Sequence, residues 1–152
     1  MNIFYYDYDD NCILSNQQSN YLYKMSYVSL FSVFASLFLK NIYISLVPSS
    51  VLLSSIYYWK KPDYSIRRYI DMVTVKLSLT YYFYIAHKYN IYSYIFFMLL
   101  LPINSYFVGL YYYNKDNWKS TFFHSGTHIL GNIGNIYLYY HLCRLNLSEN
   151  NT

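Results

Sequence analysis

Five long apolar segments joined by short polar connectors leave this chain of 152 residues few choices of fold. They run roughly from Tyr21 to Leu39, Ile42 to Trp59, Tyr69 to His87, Ile91 to Tyr113 and Ser120 to His141. Each is near the ~20 residues an α-helix needs to cross a hydrocarbon core. The separators, Lys40 and Asn41, Lys60 to Arg68, Lys88 to Asn90 and Asn114 to Lys119, suit antiparallel neighbours in a bundle. The expected fold class is therefore all-α, a polytopic transmembrane helix bundle of about five helices. Residues 1–20 read as a polar tail, 21–144 as the membrane domain and 145–152 as a polar tail on the opposite side, both tails without fixed structure. Pro48 and Pro102 fall inside segments and should bend them. The apolar run of the first segment begins only at Tyr27, and Lys24 must snorkel to the interface, so a reading with four helices stays open.

Composition supports a membrane class. Charged residues make up 12% of the chain and aromatic residues 24%, too little charge and too much apolar surface for an ordinary soluble domain. The mean hydropathy of only +0.09 reflects a scale that penalises Tyr, of which there are 24. Enrichment in Tyr, Asn, Ile and Lys suits AT-rich coding, as in some protists and large DNA viruses. If the Lys60 to Arg68 loop is cytoplasmic, its side collects Lys24, Lys60, Lys61, Arg67, Arg68, Lys115 and Lys119. The other side has Lys40, Lys88 and Arg144, which places the N-terminus in the cytoplasm. Asp7, Asp9 and Asp10 stand where a cleavable signal would be basic, so the first span is expected to act as an uncleaved anchor.

Other chemistries are absent from the pattern. No glycine-rich phosphate loop, paired-cysteine zinc spacing or Gly-x-Ser-x-Gly elbow occurs. Basic residues lie in loops suited to lipid headgroups. The expected partners are thus membrane lipids and neighbouring helices, and no nucleic acid. Cys12 and Cys143 fall on opposite sides and read as free thiols. Asn146-Leu-Ser148 and Asn150-Asn-Thr152 match the glycosylation pattern, which arises readily by chance in an Asn-rich chain.

The last segment carries the most informative polar groups. Thr121, His124, His128, Gly131, Asn132 and Asn135 share one helical face, while Phe122, Ile129, Ile133, Ile136 and Tyr140 lie elsewhere. That polar stripe should face protein. Asp71, within the first turn of the third segment, should lie at the same depth, as should Ser54, Ser55, Tyr58 and Trp59 at the end of the second. Asp71, Thr74, Ser78 and Tyr82 share a face that can oppose the histidine stripe. Lys76, about 140° around the helix from Asp71, is a poor partner for it. His87 and His141 fall near the outer face and read as interfacial residues.

Two readings of this cluster follow. In one, His124 and His128 hydrogen-bond to Asn, Ser or Asp71 and fix helix packing. In the other, the two imidazoles hold a divalent metal, with Asp71 as third ligand or as base for a bound water.

The stretch Ser55 to Arg68-Tyr-Ile-Asp71, followed by His124-Ser-Gly-Thr-His128, resembles the superfamily of alkaline ceramidases, progestin and adiponectin receptors, and Per1-like proteins. Those are seven-helix membrane proteins with zinc held by three histidines beside a Ser and an Asp, and several hydrolyse lipid amides. The resemblance implies His124 and His128 as zinc ligands of the last helix, Asp71 as the water-orienting acid and Ser55 as the second-helix serine. The chain departs from the pattern at Trp59, where the family has its third histidine, and in having one helix rather than three between the Asp and His helices. The resemblance covers residues 54–74 and 121–135. The functional expectations are a non-catalytic multi-pass protein with a structural polar seam, or a zinc-dependent intramembrane hydrolase of lipid amides or esters with Asp71 and Ser55 as catalytic residues.

Overall fold

A computed structural model describes residues 14–39, 42–113 and 117–149. The acidic stretch before Cys12, Cys12 itself, Lys40, Asn41, Asn114, Lys115 and the Asn150 to Thr152 triplet lie outside the described residues. Those described are entirely helical and coil, with no strand. In order they form α1 (Asn16–Ser26), α2 (Ser29–Leu37), α3 (Ile42–Trp59), α4 (Ile66–Lys88), α5 (Tyr92–Met98), a π-helical turn (Leu99–Ile103), α6 (Asn104–Tyr112) and α7 (Asn117–Glu149). The all-α expectation is met. Among the described residues, one helix is long and apolar enough by itself to cross a membrane, the continuous rod Tyr92–Tyr112.

The first segment is two helices rather than one. Helix α1 starts inside the stretch read as a polar tail, because Ser15 and Gln18 form a reciprocal capping box: the Ser15 hydroxyl accepts from the Gln18 backbone N–H and the Gln18 side-chain Oε1 accepts from the Ser15 N–H. The break follows Ser26, whose hydroxyl donates to the Leu22 carbonyl at 3.0 Å. Tyr27 and Val28 then bond back only three residues, to Lys24 and Met25, a tight turn before α2 resumes.

Pro102 interrupts the regular α-helical ladder of its rod. Without an N–H, Pro102 leaves the helical ladder incomplete, and the backbone widens into the π-turn. The Asn104 side-chain amide donates to the carbonyls of Leu99 (3.1 Å) and Leu100 (2.8 Å), so the disturbed turn keeps hydrogen-bond partners. Helix α4 stops where Asn90 adopts a left-handed conformation (φ 57°) and Ile91 N–H reaches back to the Ala86 carbonyl at 2.7 Å.

Helix α7 also exceeds its sequence-based bounds. Its 33 residues make a rod of roughly 50 Å, well beyond the expected Ser120 to His141 span. The stretch read as an unstructured tail from Leu145 continues the helix to Glu149. Packing explains this, since Leu145 rests on a buried cluster of Tyr82, Ala86, Ile91, Tyr94, Met98, Leu138, Tyr139 and Leu142. A second apolar cluster, Leu22, Tyr23, Tyr58 and Trp59, joins α1 to α3.

The loop into α4 is held by its own short-range bonds. Arg67 donates to Asp63 at 2.6 Å and Ser65 N–H to the same carboxyl at 3.2 Å. Burial pushes the Asp63 pKa up, but its bonds from Ser65 and Arg67 outweigh this and hold it below the ordinary carboxylate range.

Candidate functional site

Asp71 sits in the second turn of α4, 9% exposed, facing the end of α3. Its Oδ1 accepts hydrogen bonds from Ser54 (2.9 Å) and Ser55 (2.7 Å). The expected level match between Asp71 and the end of α3 is thus a direct contact. One turn beyond Ser55, the Trp59 ring meets His124 of α7 edge to face, with centroids 5.0 Å apart. The His124 and His128 rings lie 5.3 Å apart, as their one-turn spacing requires. His128 Nε2 and Trp59 Nε1 are buried without a hydrogen-bond partner.

The two polar seams face a common cavity, and most of their hydrogen bonds run to other partners. On α4, Asp71 bonds to α3 and the Ser78 hydroxyl turns back to the Thr74 carbonyl at 2.8 Å. Only Tyr82 crosses to α7, through a hydroxyl contact with Tyr139. On α7, Asn132 turns to α2 instead: Ser32 donates to its Oδ1, and its Nδ2 donates to Ser29 (3.4 Å) and to the His128 carbonyl (2.7 Å). Asn135 Oδ1 accepts from Tyr94 at 3.3 Å. Sequence reasoning missed Ser29 and Ser32. The signal was present as Ser26, Ser29, Ser32 and Ser36, a helical stripe of small hydroxyls through an otherwise apolar segment.

Between the seams lies a cavity of about 350 Å³. Asp71, Lys76, His124, His128, Asn132 and Asn135 all contribute to its wall, along with apolar side chains from α3, α4 and the α5–α6 rod. Among the described residues, no group of three or more His, Cys, Asp or Glu side chains is placed to share a metal ion. His87 contacts Tyr92 and His141 contacts Tyr137, each in its own aromatic pair.

The Asn132 network yields a stability prediction. Asn132→Leu leaves the Ser29 and Ser32 hydroxyls without their cross-helix partner and should cost on the order of 0.6 to 2 kcal/mol. Ile133→Leu, at a half-exposed neighbour, should cost little, and unfolding in detergent followed by circular dichroism compares the two. Equal tolerance would mean that the α2–α7 bond does not hold the helices together.

No family model, curated protein or solved structure matches the chain.

Proposed function

We propose that the chain is a multi-pass integral membrane protein whose buried polar residues join its helices and shape an intramembrane cavity, without catalysis of its own. The supporting observation is an inverted distribution of polarity. Among the described residues, the interior holds Gln18, Asp71, Thr121, Asn132 and a large set of serines, about as many polar side chains as apolar ones. The exterior carries many large apolar side chains, with Phe38 83% exposed, Leu53 67%, Leu77 66% and Phe96 65%. Water would penalise such a surface, whereas lipid solvates it and leaves hydroxyls and amides to find one another between helices.

On this reading α3, α4 and α7 cross the bilayer beside the Tyr92–Tyr112 rod, and the kinked pair α1–α2 completes the bundle. The protein should remain with membranes through alkaline carbonate extraction. An impermeant lysine reagent on the outer face should spare the Lys60 to Arg68 loop, with a tag at the C-terminus accessible there. Release by carbonate would overturn the membrane reading, and a tag on the same side as the N-terminus would reduce the crossings to four.

A second reading, zinc-dependent lipid hydrolysis, draws on the meeting of Ser55 with Asp71 and of Trp59 with His124, the positions named by the family resemblance. The donor set fits a zinc site only in part. His124 and His128 would supply two imidazoles, but the third position holds an indole, and Asp71 already accepts from two serines. Stoichiometric zinc retained through purification in mild detergent, lost in His124→Ala, would favour this reading over the non-catalytic one.

A further inference from the structure

Lys76 is a charged side chain in mid-helix that neither polar seam uses. It lies about 15 Å along α4 from Ile66, near the middle of this helix of 23 residues. Snorkelling to either end from mid-helix is beyond easy reach of a lysine stem. Of its neighbours at helical spacing, Met72, Val73 and Leu79 are apolar and Thr80 turns its hydroxyl back to the Lys76 carbonyl at 2.9 Å, and it is angularly offset from the Asp71, Ser78 and Tyr82 face. Among the described residues its ammonium has no ion pair and no hydrogen bond. Yet, although exposed, it stands on the rim of the cavity, whose lining also includes Val75, Leu79, Met98, Ile103 and Phe107. The same wall carries His128, whose Nε2 is buried without a partner.

An intramembrane lysine facing a cavity calls for an anion. We propose that this cavity holds a single-chain amphiphile whose anionic head, a carboxylate or a phosphate, pairs with Lys76 while its hydrocarbon chain lies along the apolar wall. Charge complementarity fixes the sign of the ligand, and the apolar lining fixes the chemistry of its tail. Asp71 does not oppose this arrangement, because it points toward α3 and its Oδ1 is already held by Ser54 and Ser55. Its repulsion directs an anionic head to the Lys76 edge. Gly131 opens the opposite wall: a Cβ there would have no atom within 4 Å.

The inference rests on the membrane reading but on neither metal nor catalysis. Its test uses the full chain in bilayer discs of phosphatidylcholine, with radiolabelled palmitate and radiolabelled lysophosphatidate as probes and methyl palmitate as the uncharged competitor. At least one charged probe should bind saturably near one per chain, and methyl palmitate should not displace it. Binding of palmitate alone, or of lysophosphatidate alone, identifies the head as carboxylate or phosphate. Lys76→Met should weaken binding by about tenfold or more, while Lys76→Arg stays within about threefold. Gly131→Leu, whose Cβ would enter open space, should weaken it comparably, and Lys88→Met at the end of α4 should not. Replacing the lysine by Met suits the helix to lipid, so weaker binding there does not reflect unfolding. Non-saturable partition of both charged probes, equal displacement by methyl palmitate, or unchanged binding in Lys76→Met would each overturn the proposal. A chain that resists carbonate extraction and still binds neither anion fails this inference alone, whereas release by carbonate fails the membrane reading.

Discussion

Trp59→His should convert the α3–α7 contact into a zinc site, tightening zinc binding by about two orders of magnitude over the unaltered chain. The reason is local. The Trp59 ring already touches His124, which stands one turn from His128, so an imidazole at 59 adds a third nitrogen donor beside two existing ones. Without metal the variant should be less stable by about 2 kcal/mol, since Trp59 is 5% exposed and packs with Leu22, Tyr23 and Tyr58. Zinc should restore that loss by binding only the folded state. Metal analysis and calorimetry after chelator treatment give both quantities. Trp59→Ala is the control, because it opens the same space without a ligand. If Trp59→Ala gains zinc equally, or if His124→Ala in the Trp59→His background leaves binding intact, the three side chains do not form a site and the family resemblance loses its geometric support.

The parts of the fold legible in the sequence were those that depend on one helix at a time. Segment length and apolar content located α3, α4 and the Tyr92–Tyr112 rod, and helical spacing placed His124, His128, Asn132 and Asn135 on one side of α7. Counting residues from the shared loop placed Ser54 and Ser55 level with Asp71. What could not be read were partners across helices. The stripe of α7 and the seam of α4 line one cavity, but the bonding partners of Asn132, Ser29 and Ser32 of α2, were not foreseen. Helix ends were similarly hidden. The capping box at Ser15 and Gln18 lies in a polar stretch that hydropathy assigns to a tail, and the extension of α7 past His141 depends on Leu145 reaching the cluster around Tyr139 and Leu142.

Lys76 shows the opposite case, a residue whose importance was masked by a question about pairing. Its angular distance from Asp71 argued against a salt bridge, and none forms with it among the described residues. The same angle puts Lys76 on the part of α4 that, together with residues of the α5–α6 rod, lines the cavity.

Two glycines three residues apart on α7 should respond oppositely to added side chains. A Cβ at Gly134 would lie 2.5 Å from Met98 Sδ and 3.2 Å from Phe97 Cε1, so α7 approaches α5 through the missing side chain. Met98 is 6% exposed, wedged in the cluster with Tyr94 and Leu138, and cannot swing clear without opening that core. Gly134→Leu should therefore destabilise the bundle by about 1 to 3 kcal/mol through overpacking. Gly131 has nothing within 4 Å of the corresponding position. Gly131→Ala should instead gain about 0.5 to 1 kcal/mol by restricting the unfolded backbone within a long helix. Thermal unfolding in one mild detergent, followed by circular dichroism, measures the pair under common conditions. Equal losses at both positions would mean that α7 meets a neighbour on its Gly131 face as well, closing the cavity proposed to hold the ligand. Equal tolerance would mean that α5 and α7 are not in close contact, and that Tyr94 and Asn135 do not meet either.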